Sequence, residues 1–427
     1  MAERVSDAAP VAGRVYAWNT IGAVVGATAT GLWLLPGLGF EGTVLVGAAI
    51  GLSVAAGFAS AAAAWRVPLL ATIAAIAIGV ALFPPSPPWS LLRASPLGTE
   101  KHGDLAFYGV GQGATVLVQE LGWDWRLTTN GLPESAIQGR GARLARFGAA
   151  HWLTALPIAL RPEAKSLFVI GLGAGKMIED VPRSIAVIDV AELEPEVLAA
   201  NRALAGQRRK DPLSDPRLRL WIDDARSVLR LSGQTFDIVA SQPSHPWTGG
   251  AAHLYTRELF FQVERRLSED GVFLQWISCQ FVDDELLRSL LATLQAVFPE
   301  VEVYAPPPGE SLLLLASQRP LDLARSAPRA LLSEQALWES LGIATADDLL
   351  LYRILSPEGV RRLSRDAQLN TDLENRLQTR APWILDQPLG RDGCERLMAP
   401  FDPMRVSVTR SNVVGLVRRL LGWGDAS

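Results

Sequence analysis

KSLFVIGLGAGKMIEDVP, Lys165–Pro182, decides the fold. Its β-formers, Leu167 to Ile170, run straight into Gly171, Gly173 and Gly175 of GLGAG. SIAVIDVAELEPEVLAANR, Ser184–Arg202, follows as a second apolar strand ending in acids, then a helix led by Pro195. Strand, glycine-rich turn, helix, strand, acid is the order of a nucleotide-binding βαβ unit. In it the glycines let the backbone approach a cofactor, and the acid accepts from both ribose hydroxyls. Glu192 is that acid, 21 residues after Gly171. Glu194 either shapes the same pocket or stays solvated at the helix start, where the dipole favours a carboxylate.

Working downstream, RLRLWIDDAR (Arg217–Arg226) reads as a third strand ending in Asp223 and Asp224, and FDIVASQPSHPW (Phe236–Trp247) as a fourth that opens into a loop. An acid after the third strand of a sulfonium-cofactor enzyme commonly faces the adenine amino group, which makes Asp224 a candidate. GVFLQWI (Gly271–Ile277) is a fifth strand, and VEVYAPP and SLLLLASQ add more. Upstream, Asp104–Gly131 alternates β-formers with glycine turns, the pattern of a small antiparallel sheet. A helix is expected from about Gly141 to Leu160.

The N-terminal region has a different composition. Trp18–Leu38, Thr43–Trp65 and Val67–Phe83 carry no charge, and each is near the ~17–25 residues that cross a bilayer as a helix. Gly22 and Gly26 have the small-xxx-small spacing of helices packed in lipid. Arg4, Arg14 and Arg66 fall on one side of such an arrangement and Arg93 and Lys101 on the other, so charge does not set the orientation. Pro84–Trp89 reads as a stiff exit linker. The expected organisation is a transmembrane part (1–89), a small β domain with its connecting helix (97–160), a Rossmann-like cofactor domain (161–325) and a mostly helical extension (326–427). A net charge of −4 gives no basic field for nucleic acid. The two distant cysteines, Cys279 and Cys394, suit a reducing compartment. His102, His151, His245 and His253 form no HExxH or HxH pattern, so no metal is expected.

Taken together, GRVYAWNTIGAVVG (Gly13–Gly26), VIGLGAG (Val169–Gly175), VAELEPEV (Val190–Val197), DDAR (Asp223–Arg226), SQPSHPW (Ser241–Trp247), LYTRELF (Leu254–Phe260), GVFLQW (Gly271–Trp276) and LNTDLENRLQTRAP (Leu369–Pro382) resemble a membrane-anchored spermidine synthase-like protein of the polyamine aminopropyltransferase family. The resemblance covers nearly the whole chain. Many such proteins carry more membrane helices ahead of the GRVYAWNT-like segment, so this chain looks like a shortened form or one piece of a larger whole. The resemblance implies an α/β fold: a Rossmann-like domain of the S-adenosylmethionine-dependent transferase type, preceded by a small antiparallel β domain and about three transmembrane helices. The implied donor is decarboxylated S-adenosylmethionine or S-adenosylmethionine. The implied reaction moves an aminopropyl or related group to a small amine and releases methylthioadenosine. It also implies Gly171, Gly173, Gly175, Glu192 and Asp224 as cofactor-binding residues, pairing as a homodimer, and an inner-membrane protein with its soluble part in the cytoplasm.

The departures from the family pattern matter as much. Where soluble members carry DxxDP after the fourth strand, this chain has Gln242 and His245 ahead of Pro246. An ammonium must lose a proton before its nitrogen attacks, and glutamine neither accepts that proton nor attracts the cation. His245 is a base near neutral pH. Gln242 and His245 are therefore the catalytic candidates, with a turn held by Pro243 and Pro246 as the plainer reading. In LTTNGLPE (Leu127–Glu134), Asn130 stands where the family has an acid and Glu134 where it has a glutamine. Glu134, Ser244, Trp247 and Tyr255 are the substrate-binding candidates. Trp247 and Tyr255 read equally as core residues, and His151 as a helix-packing residue. Two other functions stay open: a non-catalytic module that senses a nucleoside or polyamine, and a methyltransferase on another small acceptor.

Overall fold

The computed structural model describes residues 5–61, 65–83, 103–140, 148–306, 310–340, 343–385 and 387–402. Pro84–Trp89, Arg93, Lys101, His102, the expected helix start over 141–147 and the end of the C-terminal extension lie outside them. The chain divides into two compact units, residues 1–120 with 128–133, and residues 121–127 with 134–427.

In the first unit, helices span Val5–Ala29, Leu35–Ala61 and Arg66–Leu82. A wider π-type turn, Thr30–Leu34, joins the first two. The sequence predicts an interruption at Glu41 and Gly42. The helical path instead breaks at Gly39, whose φ of 66° and ψ of −174° belong to a region that essentially glycine alone enters. Ala9–Ser60 is long and apolar enough to cross a membrane, and Trp18, Trp33 and Phe58 along it are exposed.

Strands β1 (Asp104–Val110), β2 (Thr115–Leu121), β3 (Asp124–Thr129) and β4 (Leu132–Gln138) form a sheet in that order. Asn130 and Gly131 make the two-residue turn between β3 and β4, both with positive φ, as a type I′ hairpin requires. The Asn130 side chain accepts a hydrogen bond from the Thr115 N–H at 2.9 Å. Asn130 is thereby a turn residue, tied up by backbone.

The second unit is built on an eight-stranded mixed sheet. Its strands are β5 (Ser166–Ile170), β6 (Val187–Glu192), β7 (Leu218–Ile222), β8 (Phe236–Ser241), β9 (Leu267–Ser278), β10 (Glu300–Tyr304), β11 (Ser311–Ser317) and β12 (Arg353–Leu355). The order is β12-β10-β11-β9-β8-β5-β6-β7. β5 to β9 are parallel, and β10, β11 and β12 add antiparallel edges. Leu167, Phe168 and Val169 of β5 are fully buried, as a central strand covered on both faces demands. The chain runs from β5 outward through β6 and β7, then returns to the other side of β5 with β8. The crevice at that reversal is where doubly wound folds bind ligands. This is a Rossmann-like fold with a separate antiparallel sheet and a long apolar N-terminal helix. The C-terminal extension is not wholly helical: besides its helices (Leu323–Ser333, Pro357–Leu363, Arg376–Ile384 and Gly390–Met398), it supplies β12 to the main sheet. Cys279 and Cys394 are buried free thiols.

Candidate active site at the sheet reversal

The glycine-rich loop leaves β5 with Gly171, Gly173 and Gly175 all at positive φ. At Gly175 (φ 74°) an added Cβ would lie 2.5 Å from Pro212 Cγ, so conformation and space both demand glycine. The loop is braced from beneath. Asn201 donates to the Gly173 carbonyl at 2.7 Å, and Arg208 donates to the Ala174 carbonyl at 2.6 Å. Arg208 is fully buried and also bonds Asn201 Oδ1 and the buried Glu179 carboxylate. No local pattern points to this, because Arg208 stands in QRRK and reads as part of a solvated charge run.

Glu192 ends β6 and faces the loop. One carboxylate oxygen accepts from the Leu172 N–H and the other from the Glu194 N–H, each at 2.9 Å. Burial pushes its carboxyl above the ordinary range, against the opposing pull of those N–H groups and of Gly173. Glu194 is not solvated. It is buried and caps the helix Pro195–Leu204 by accepting from the Glu196 N–H. Asp224 follows β7 and caps the helix Ala225–Leu231 through the Arg226 N–H. Leu193 and Ile222 present exposed apolar side chains at the same strand ends.

The loop after β8 carries the acceptor-side candidates. Gln242 donates its backbone N–H to the Ile170 carbonyl, which fixes the loop against β5. Ser244 donates a hydrogen bond to Glu134 of β4. His245 is buried, with Nδ1 3.6 Å from a Glu134 oxygen. Its ring lies 5.3 Å from Trp247 and 5.1 Å from Phe281, in a cluster that Trp276 extends. Trp247 is partly buried and packs against the hydrophobic core. Tyr255 is fully buried with its hydroxyl beside Gln275, and burial pushes that hydroxyl well above its usual range. Gln275 and Phe281 are additions the sequence reading lacked, although a glutamine inside the apolar GVFLQWI was a visible signal.

Two other constellations bear on the site. Asp372 of the LNTD segment forms a two-pronged pair with Arg226 at 2.9 and 2.5 Å. It also accepts from Thr256 at 2.8 Å and lies 3.3 Å from His253 Nδ1. Among the described residues, His151, Glu179 and Asp180 place ligand-type atoms within 4.8 Å of one another. Arg208, Arg209 and Lys210 already pair with those carboxylates, so the group is built as an ion-pair cluster. His151 Nδ1 accepts from the Gly148 N–H at its helix start, and burial drives its pKa down to about 4.

Comparison with known proteins agrees with this geometry. The spermine/spermidine synthase domain matches residues 147–307. Over that stretch the chain is similar to spermine/spermidine synthases. It is 30% identical over 165 residues to a polyamine aminopropyltransferase of Synechococcus sp., covering 37% of this chain and 53% of that protein. It is 27% identical over 154 residues to the polyamine aminopropyltransferase of Shigella boydii, covering 36% and 53%. The chain thus spans about half the length of the curated relatives it matches. A crystal structure of a spermidine synthase in complex with the transition-state analogue AdoDATO superposes with a TM-score of 0.52 at 20% identity, covering 62% of this chain and 89% of that one. At that identity the match speaks for the fold.

Proposed function

We propose that this protein is a membrane-anchored transferase that binds decarboxylated S-adenosylmethionine or S-adenosylmethionine and passes the aminopropyl or a related group to a small amine. One observation carries the reading. The left-handed glycine loop after β5, Glu192 after β6 and Asp224 after β7 stand at consecutive carboxyl ends beside the sheet reversal. Glu192 suits the two ribose hydroxyls, Asp224 the adenine amino group, and Leu193 and Ile222 the faces of the base. The anchor is the run Ala9–Ser60.

The chemistry asks little of the chain beyond placement and proton removal. The amine nitrogen attacks the aminopropyl carbon bound to the sulfonium. A carbon–nitrogen bond forms while the carbon–sulfur bond breaks, and sulfur keeps the bonding pair as the neutral thioether methylthioadenosine. The spare ammonium proton goes to a base. Gln242 cannot take it, which leaves His245 as the titratable group on the loop after β8.

The test is calorimetry on the full chain in detergent micelles with S-adenosylmethionine, its decarboxylated form and methylthioadenosine, followed by an assay for methylthioadenosine release with a panel of amines. Binding with release is the expected result. Absence of binding by all three nucleosides would sink the proposal, and binding without release from any amine would favour a nucleoside-sensing role.

A further inference from the structure

Around the loop after β8 the chain collects more buried polar groups than its own hydrogen bonds use. Ser241 Oγ, His245 Nδ1, Tyr255 Oη and Gln275 Oε1 are all buried, and beyond the contact of Tyr255 with Gln275 they lack a hydrogen-bond partner among the described residues. They belong to one place. Ser241 and Gln275 are register partners on β8 and β9. Tyr255 lies beside Gln275 and within Coulombic reach of Glu134, whose carboxylate is 3.6 Å from His245 Nδ1, too far for a hydrogen bond. A buried polar group left unpaired costs about 1–3 kcal/mol, so such a concentration marks a site made for a polar ligand. The rings of Trp247, Phe281 and Trp276 gather beside His245.

The charges say which ligand. On the acceptor side these groups include one carboxylate, Glu134, held by the Ser244 hydroxyl; Glu192, which feels the charge of Glu134, is taken up by the Leu172 and Glu194 N–H groups. The others offer hydroxyls, amides and an imidazole, and Ser241–Trp247 contains no acid. A diamine would bring a second ammonium to a buried place whose remaining unpaired groups, among the described residues, are neutral. We infer that the acceptor carries a single ammonium together with a hydroxyl or amide, with Glu134 receiving the cation and the unpaired groups of Ser241, Tyr255 and Gln275 receiving its neutral polar end. His245, its Nδ1 3.6 Å from Glu134, takes the proton as the nitrogen attacks, and the Glu134 carboxylate then stabilises the imidazolium. This inference rests on the transferase reading above.

The experiment uses the full chain in detergent micelles saturated with methylthioadenosine, titrated with putrescine or with aminobutanol, its mono-ammonium hydroxyl analogue. Aminobutanol is expected to bind at least about tenfold more tightly. Glu134→Gln, which keeps the shape and a partner for Ser244, should weaken aminobutanol by about tenfold or more while methylthioadenosine affinity is not weakened. Gln242→Asp should raise putrescine affinity above that of aminobutanol. Putrescine binding as tightly as aminobutanol in the native chain, an unchanged affinity in Glu134→Gln, or no binding of either amine to the nucleoside-loaded protein would overturn the inference and leave the transferase reading standing. Failure of methylthioadenosine to bind at all would remove both.

Discussion

Glu192, in the ribose-binding role proposed for it, works against the stability of the protein that holds it. The carboxyl is buried, and its pKa in the folded state is raised. An acid with a raised folded pKa binds more protons folded than unfolded. Its contribution is most favourable below the unfolded value and is lost as pH rises through the folded one. The ribose hydroxyls, however, need the ionised form, because only the carboxylate accepts from both. Nucleoside affinity should therefore rise with pH through the same window in which this residue ceases to help folding. Methylthioadenosine titrations from about pH 5 to about pH 8 check this in the native chain and in Glu192→Gln. The variant should bind about 10- to 100-fold more weakly, with no pH slope from this position, and should be no less stable at neutral pH. A native affinity that is flat with pH would argue against a ribose role for Glu192.

At the scale of elements, the glycine loop depends on what braces it. Arg208 joins Glu179 to the carbonyl of Ala174, and Asn201 holds the carbonyl of Gly173. Removing the guanidinium alone takes the direct bond from a buried carboxylate and leaves it the Arg209 guanidinium at 3.6 Å. Arg208→Met should cost about 3–5 kcal/mol, whereas Arg208→Met with Glu179→Leu should recover most of that, because an ion pair replaced as a pair is often neutral. Denaturant unfolding of both single variants and the double variant measures the difference, and a double loss equal to the sum of the two single losses would mean that the pair is not coupled. The same contrast explains what could be read from the chain. The strands, the loop and the acids at strand ends were legible because periodicity and spacing carry them: Glu192 at 21 residues from Gly171 is a matter of counting. Arg208 was not, because burial of an arginine depends on a partner 29 residues away meeting it in space. Glu134 was legible as a candidate, but its pairing with Ser244 spans 110 residues and only folding reveals it. The break at Gly39 rather than at Glu41 turned on a backbone angle, which composition does not encode.

On the scale of the whole molecule, different physics acts on the N-terminal helices and on the C-terminal extension. In the N-terminal part, Ala9–Ser60 is long and apolar enough to cross a membrane and leaves Trp18, Trp33 and Phe58 exposed, which is the basis of the proposed anchor. The full chain should sediment with membranes, resist alkaline carbonate and be released by detergent; recovery in the carbonate wash would contradict anchoring. In the C-terminal extension, Asp372 reaches back 146 residues to Arg226 and also engages Thr256. These partners hold its pKa down to about 2, against the cost of burial. An acid with a depressed folded pKa adds stability above its unfolded value of about 3.9, and that contribution is lost as pH falls toward about 2. Asp372→Asn should lower stability at neutral pH by about 1–2 kcal/mol, a modest figure because the pair is partly solvated. The deficit relative to the native chain should shrink as pH falls through that window, since protonation removes the same charge from the native protein. The consequence for the site is more specific. Arg226 sits two residues after Asp224 and already feels its charge. Released from Asp372, the guanidinium is free to turn toward Asp224 and compete for the carboxylate assigned to the adenine amino group. Asp372→Asn should therefore weaken methylthioadenosine more than it weakens analogues lacking the amino group. Equal weakening of both would reduce the C-terminal latch to a purely structural tie.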